Sequence, residues 1–187
     1  MTEYRHDMQV LTDENFLEPS PIALMFSPWG LSSTGPAPAT EEEVRSRVKQ
    51  FTSVTLHDGV PKQLWRMFEV AKGAMVYGIF FYPLYTLGGD HLYRGFEYLV
   101  RLQYEKLRRE KLTADLRSQV KWLIDNGHFP EPAPERWMAA YEIRNLVSHP
   151  KMQSIDHPNG ALRILHDMKG LIEHFYPSTS EPADVTP

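Results

Sequence analysis

The chain has no cysteine among its 187 residues. Disulfides, thiolate nucleophiles and cysteine-based zinc sites are therefore excluded. The histidines show no tight ligand spacing such as HxxxH or HExxH, so no metal is expected. No GxSxG elbow is present for serine hydrolase chemistry. Gly73, Gly78, Gly88 and Gly89 fit neither the dinucleotide-binding nor the P-loop spacing, and no cofactor is expected. Alternating apolar and polar residues, the mark of a half-buried strand, do not extend over any useful length. The start, MTEYRHDMQV, lacks the charged-then-apolar layout of a signal peptide. A cytoplasmic location and no membrane partner are the expectation. The longest uncharged run, GAMVYGIFFYPLYTLGG over 73–89, has 17 residues. It falls short of the roughly 20 apolar residues of a membrane span and reads as a buried core helix.

Net basic charge is also missing. The formal charge is −4, which excludes a general nucleic-acid coat, since such binding rests on Lys and Arg neutralising phosphates. The distribution is uneven. Residues 1–60 hold nine acids and four bases, a balance of 4 − 9 = −5. Residues 94–121 hold eight bases and four acids, 8 − 4 = +4, so a polyanion meets the middle of the chain first.

Hydrophobic residues make up 42% of the chain, enough for one domain with appendages. Prolines at 19, 21, 28, 36 and 38 make the first 39 residues an irregular arm. Its hydrophobics Phe16, Leu24, Met25, Phe26 and Trp29 suit docking on a partner or on the body. Thr40 then caps a short helix that starts with three glutamates, and residues 1–58 form this arm and helix.

Residues 59–176 form the body. A helix from Pro61 carries Leu64, Met67, Phe68, Ala71, Ala74 and Met75 at three- and four-residue steps, and Pro83 is expected to end it near Tyr82. Gly88-Gly89 are read as a turn and Asp90 as the next cap. A long helix follows, with Leu92, Phe96, Leu99, Val100, Leu102 and Leu107 inward. Thr113 is the expected cap of a third helix stopped by Gly127. A fourth is expected from about Pro134 to Ser148, and a last one carries Leu162, Leu165, Met168, Leu171, Ile172 and Phe175. Trp65 and Trp137 are read as core or dimer-interface residues, and residues 177–187 as a disordered tail. The fold class is all-α: an up-and-down bundle of four to five helices.

One segment carries chemistry. YEIRNLVSHP, residues 141–150, places Arg144 and Asn145 together and His149 before Pro150. The proline disfavours helical backbone at His149, so the helix ends there. Arg144 sits five residues earlier, about 7.5 Å back along the axis. A guanidinium offers a two-pronged donor for phosphate oxygens. An imidazole takes or gives a proton near neutrality. Asn145 can orient either group or bind a 2′-hydroxyl. The plain alternative is that Arg144 pairs with a carboxylate such as Glu97, and that His149 favours the helix C-terminus by the dipole alone.

Arg144-Asn145-Leu-Val-Ser-His149 resembles the signature of HEPN domains (higher eukaryotes and prokaryotes nucleotide-binding): Arg, a polar residue, a short spacer, then His. Pro150, the upstream tryptophan and the earlier YRGFEYLVRLQYEKL over 93–107 are similar to the family too. The resemblance covers about residues 61–176. It implies a homodimeric bundle whose two motif helices form one composite cleft. It further implies metal-independent cleavage of RNA in defence, toxin or RNA-processing systems, with an antitoxin protein as a partner in some of them. By this resemblance Arg144 contacts the scissile phosphate, His149 is the acid/base or transition-state stabiliser, and Asn145 positions them. Glu97 matches an acidic site on the preceding helix, and Arg101 belongs to the basic track toward RNA. Some members keep the fold as a non-catalytic module that binds a nucleotide or a protein.

Overall fold

The computed structural model describes residues 40–108, 115–130 and 157–178, together with 12, 13, 18 and 142. These build an all-α bundle of five described helices: α1 Glu41–Thr52, α2 Lys62–Tyr77, α3 Pro83–Arg108, α4 Leu116–Asp125 and α5 Pro158–Phe175. No strand occurs among the described residues. The readings of the arm, of the helix over 134–148 and of most of the tail lie outside them, except that Glu142 is helical and exposed.

Each helix begins and ends for a local reason. At α1 the Thr40 side chain accepts the Glu43 N–H at 3.2 Å, and Glu43 Oε2 accepts the Thr40 N–H at 2.7 Å. This reciprocal box satisfies two amides that the helix cannot. At α4 the cap is Asp115, not the expected Thr113; its carboxylate accepts the Ser118 N–H at 3.0 Å. That bond holds the carboxyl below its ordinary range. Gly127 ends α4 with φ 69°, as expected for a left-handed stop. Around it the His128 N–H reaches the Leu123 carbonyl at 2.8 Å and the Gly127 N–H the Ile124 carbonyl at 2.9 Å. At α5 the cap is an imidazole: His157 Nδ1 accepts the Gly160 N–H at 3.1 Å, and Pro158 opens the helix.

The region 77–90 corrects two expectations. Pro83 does not terminate a helix at Tyr82; it opens α3, where the missing N–H is harmless. The chain turns earlier, at Gly78–Tyr82, through bonds such as Phe80 N–H to the Tyr77 carbonyl at 3.0 Å. Gly88, Gly89 and Asp90 are all helix interior, so the expected turn and cap do not occur there. The reason is close packing. A Cβ on Gly88 would lie 2.6 Å from Met75 Cγ and 2.9 Å from the Ala71 carbonyl oxygen, and one on Gly78 would lie 2.7 Å from the Tyr85 ring. The pairings 78 with 85, 71 and 75 with 88, and 67 with 95 make α2 and α3 antiparallel neighbours.

The core unites Leu64, Phe68, Ala71 and Met75 of α2 with Leu92, Phe96, Leu99 and Val100 of α3. Val120 and Leu123 of α4 close one side, and Leu165, Met168, Leu171 and Ile172 of α5 the other. Leu107, expected inward, is 39% exposed, because the last turn of α3 passes beyond this core. Trp65, expected in a core or interface, stands 41% exposed on α2. The loop 53–60 is tied to the end of α5 by His57. Its Nδ1 accepts the Gly59 N–H at 3.0 Å, so Nε2 donates to the Tyr176 carbonyl at 2.6 Å.

The two interior glycines Gly73 and Gly88 give opposite expectations. Gly88→Ala lowers stability by about 1–3 kcal/mol, because backbone must move. Gly73→Ala, with nothing within 4 Å of its Cβ, raises stability by about 0.5–1 kcal/mol through helix propensity. Urea unfolding midpoints read both signs.

Candidate functional site

Of the five residues singled out for function, the structure describes Glu97 and Arg101. Both lie on α3, one turn apart, and Arg101 Nη2 donates to Glu97 Oε1. Glu97 is the less exposed partner, at 18% of its side chain against 50% for Arg101. A guanidinium neutralised by its own helix neighbour offers a phosphate less charge than its position suggests. Arg144, Asn145 and His149 lie outside the described residues.

The rest of the basic track is split by its surroundings. Lys121 pairs with Asp125 at 2.9 Å across one turn of α4. Arg94 and Arg117 are exposed. Arg109 and Lys111 lie outside the described residues. Toward the end of α3 the cations rest on rings. The Arg108 guanidinium lies 5.4 Å from the Tyr104 ring centre and 5.7 Å from that of Trp122, and its Nη1 donates to the Tyr104 hydroxyl at 2.6 Å. Lys106 Nζ lies 6.0 Å from the Tyr176 ring centre. Such backing stiffens a cation against the ring it covers.

Trp122 is clamped between partners. Tyr104 meets it edge-on at 5.4 Å, and the His128 ring lies at 5.5 Å, tilted 33°. His174 Nε2 donates to the His128 carbonyl at 3.1 Å. The sequence reading did not single out Tyr104, Trp122, His128 or Tyr176 for function. Tyr104 and Arg108, at a four-residue step on one helix, were a readable signal. Trp122 and Tyr176 arrive from other helices and left none.

The late histidines divide their roles: His157 caps α5, and His174 ties α5 to the loop after α4. No group of three or more acidic or histidine side chains suited to a metal occurs among the described residues. No described helix is long and apolar enough to cross a membrane.

Two buried cations hold the bundle together. Arg47 Nη1 donates to Asn159 Oδ1 at 3.0 Å and to Gln50 Oε1 at 3.2 Å, locking α1 to the start of α5. Lys72 Nζ donates to the Val54 carbonyl at 3.2 Å and to Glu69 Oε1 at 2.7 Å. Burial raises the Tyr85 hydroxyl far above its ordinary pKa, and the charge of Arg47 opposes part of that rise.

The chain matches no known family model, no curated protein and no solved structure.

The Tyr85 shift fixes a pH dependence. A folded-state pKa above the unfolded value favours the folded state fully below about pH 10, and the benefit is lost as pH rises beyond it. Unfolding free energies from pH 8 to 11 therefore fall along an alkaline limb. Tyr85→Phe flattens that limb in part, since burial also raises Tyr176.

Proposed function

We propose that this chain is a HEPN-type endoribonuclease that cleaves RNA without a metal, in a composite cleft between two copies. The reading is carried by Arg144-Asn145 and His149-Pro150, spaced as in that family, within a chain whose described body is an all-α bundle. The ring-backed cation Lys106 adds support, as a surface group able to meet a polyanion.

In this mechanism the 2′-oxygen of one nucleotide attacks its own 3′-phosphate. His149 of one copy takes the 2′-hydroxyl proton or returns a proton to the leaving 5′-oxygen. Arg144 neutralises the phosphate charge that develops. Asn145 orients these groups. The P–O5′ bond breaks as the P–O2′ bond forms, giving a 2′,3′-cyclic phosphate and a 5′-hydroxyl. Glu97 and Arg101, already paired, serve as a substrate-side positioning pair on the neighbouring helix. A defence, toxin or RNA-processing role in the cytoplasm follows from the same resemblance, with an antitoxin protein as the partner that would hold such an activity in check.

The net charge of −4 favours a second reading, a non-catalytic HEPN-like module that binds a nucleotide or a protein partner.

The experiment is cleavage of a structured RNA in the presence of a chelator. The wild type releases fragments ending in 2′,3′-cyclic phosphate. His149→Ala and Arg144→Ala each lower the rate by about 10²-fold or more, and an RNA with 2′-deoxy substitution at the cut site is inert. Equal cleavage by wild type and His149→Ala rejects the enzyme.

A further inference from the structure

The outer side of the α2–α3 pair carries a feature that the nuclease reading does not use. On α2, Val70 and Tyr77 are 60% and 63% exposed, and on α3 Leu87 is 55% exposed. These are large apolar side chains in a bundle that buries most of its others. Val70 and Tyr77 stand seven residues apart on one helix face, with Gln63, Arg66 and Ala74 in the same row. On α3 the row is Leu84, Leu87, His91 and Arg94. Because the helices are antiparallel and meet at Gly88 and Gly95, both rows fall on the same solvent side of the pair. They border one shallow groove, about 16 Å long from the level of Tyr77 to that of Arg66.

The charge within the two rows has one sign, with Asp90 flanking them one turn from Arg94. Neither row contains an acid. Arg66 and Arg94 make no ion pair with any described residue, unlike Arg45, Lys72, Arg101, Lys121 and Lys169. His91 sits close enough to Arg94 for its pKa to be lowered, first by burial and then by that like charge. The apolar stripe thus runs into a cationic end that no ion pair among the described residues neutralises. Two copies packed with this face against itself bring no acid from either row. An exposed apolar patch of this kind marks a protein contact, and the unpaired cations specify the sign of the missing partner.

We propose that this groove binds an acidic amphipathic helix of a separate protein chain, its apolar anchors between Val70, Tyr77 and Leu87 and its carboxylates at Arg66 and Arg94. The helix-in-groove mode needs anchors at three- and four-residue steps, which the two rows match in length. The inference is independent of ribonuclease activity.

The test uses the full chain and two fluorescent synthetic peptides of about 18 residues, long enough for five turns. Both carry Leu at positions repeating by three and four, one with Glu and the other with Lys at the polar positions. Anisotropy is expected to show the Glu peptide binding at least about tenfold tighter, a difference of about 1.4 kcal/mol. Leu87→Glu and Val70→Glu each weaken it about tenfold or more. Arg94→Glu combined with Arg66→Glu shifts preference to the Lys peptide. These positions are exposed, and unchanged thermal unfolding of each variant confirms an intact fold. Equal affinity for the two peptides, or binding indifferent to Leu87→Glu and Val70→Glu, overturns the proposal. So does a concentration-dependent dimer of the wild type that Leu87→Glu abolishes while neither peptide binds, which would assign the face to a second copy. RNA binding lost in the Arg66/Arg94 double variant, with no peptide binding, would assign it to nucleic acid and overturn the proposal equally.

Discussion

The approach of α2 and α3 at Gly88 is the constraint on which the rest of the bundle depends. The absence of a side chain there lets Met75 and the Ala71 carbonyl come within what would be a forbidden contact for any Cβ. Dispersion and burial grow steeply at such short range. Two long helices held this closely fix the direction of everything attached to them. Leu92, Phe96 and Leu99 face inward and α4 and α5 close over them, while Val70, Tyr77 and Leu87 of the pair are exposed. The same seam that builds the core on one side therefore lines up the exposed groove on the other.

Polar side chains then finish what the apolar core begins. Arg47 and Lys72 are buried cations, but each reaches acceptors from a different part of the chain: Asn159 of α5 for one, the Val54 carbonyl for the other. Buried charge is tolerated only when so satisfied. The imidazole of His57 does similar work at the far end, where its tautomer is set by the two backbone groups it bridges. These contacts attach α1 and the loop after it to the bundle.

The functional reading sits at a different level from the fold. A helical scaffold supports many activities, and the chemistry comes from particular groups placed on it. Here the proposed set of Arg144, Asn145 and His149 rests on residue type, spacing and a family resemblance. What the described structure adds lies elsewhere: a paired Glu97 and Arg101, cations resting on Tyr104, Trp122 and Tyr176, and a groove whose two rows carry only positive charge. Of the ring-backed cations only the Tyr104–Arg108 step was legible in sequence; Trp122, Tyr176 and the groove come from different helices brought together by the fold.

The sequence by itself determined the all-α class and the local punctuation. Thr40 with Glu43, and Gly127 with its left-handed backbone, act within a few residues of themselves, so their signals are local and were read correctly. Its apolar stripes also named most of the core. Pro83 and the glycine pair were misread for the opposite reason. A proline either ends or opens a helix, and Gly-Gly either turns a chain or admits a neighbour. Only the position of α2 against α3 decides between them. The exposure of Trp65, Tyr77 and Leu87 was likewise a tertiary decision, since a hydrophobic residue becomes core or surface by what the fold brings to cover it.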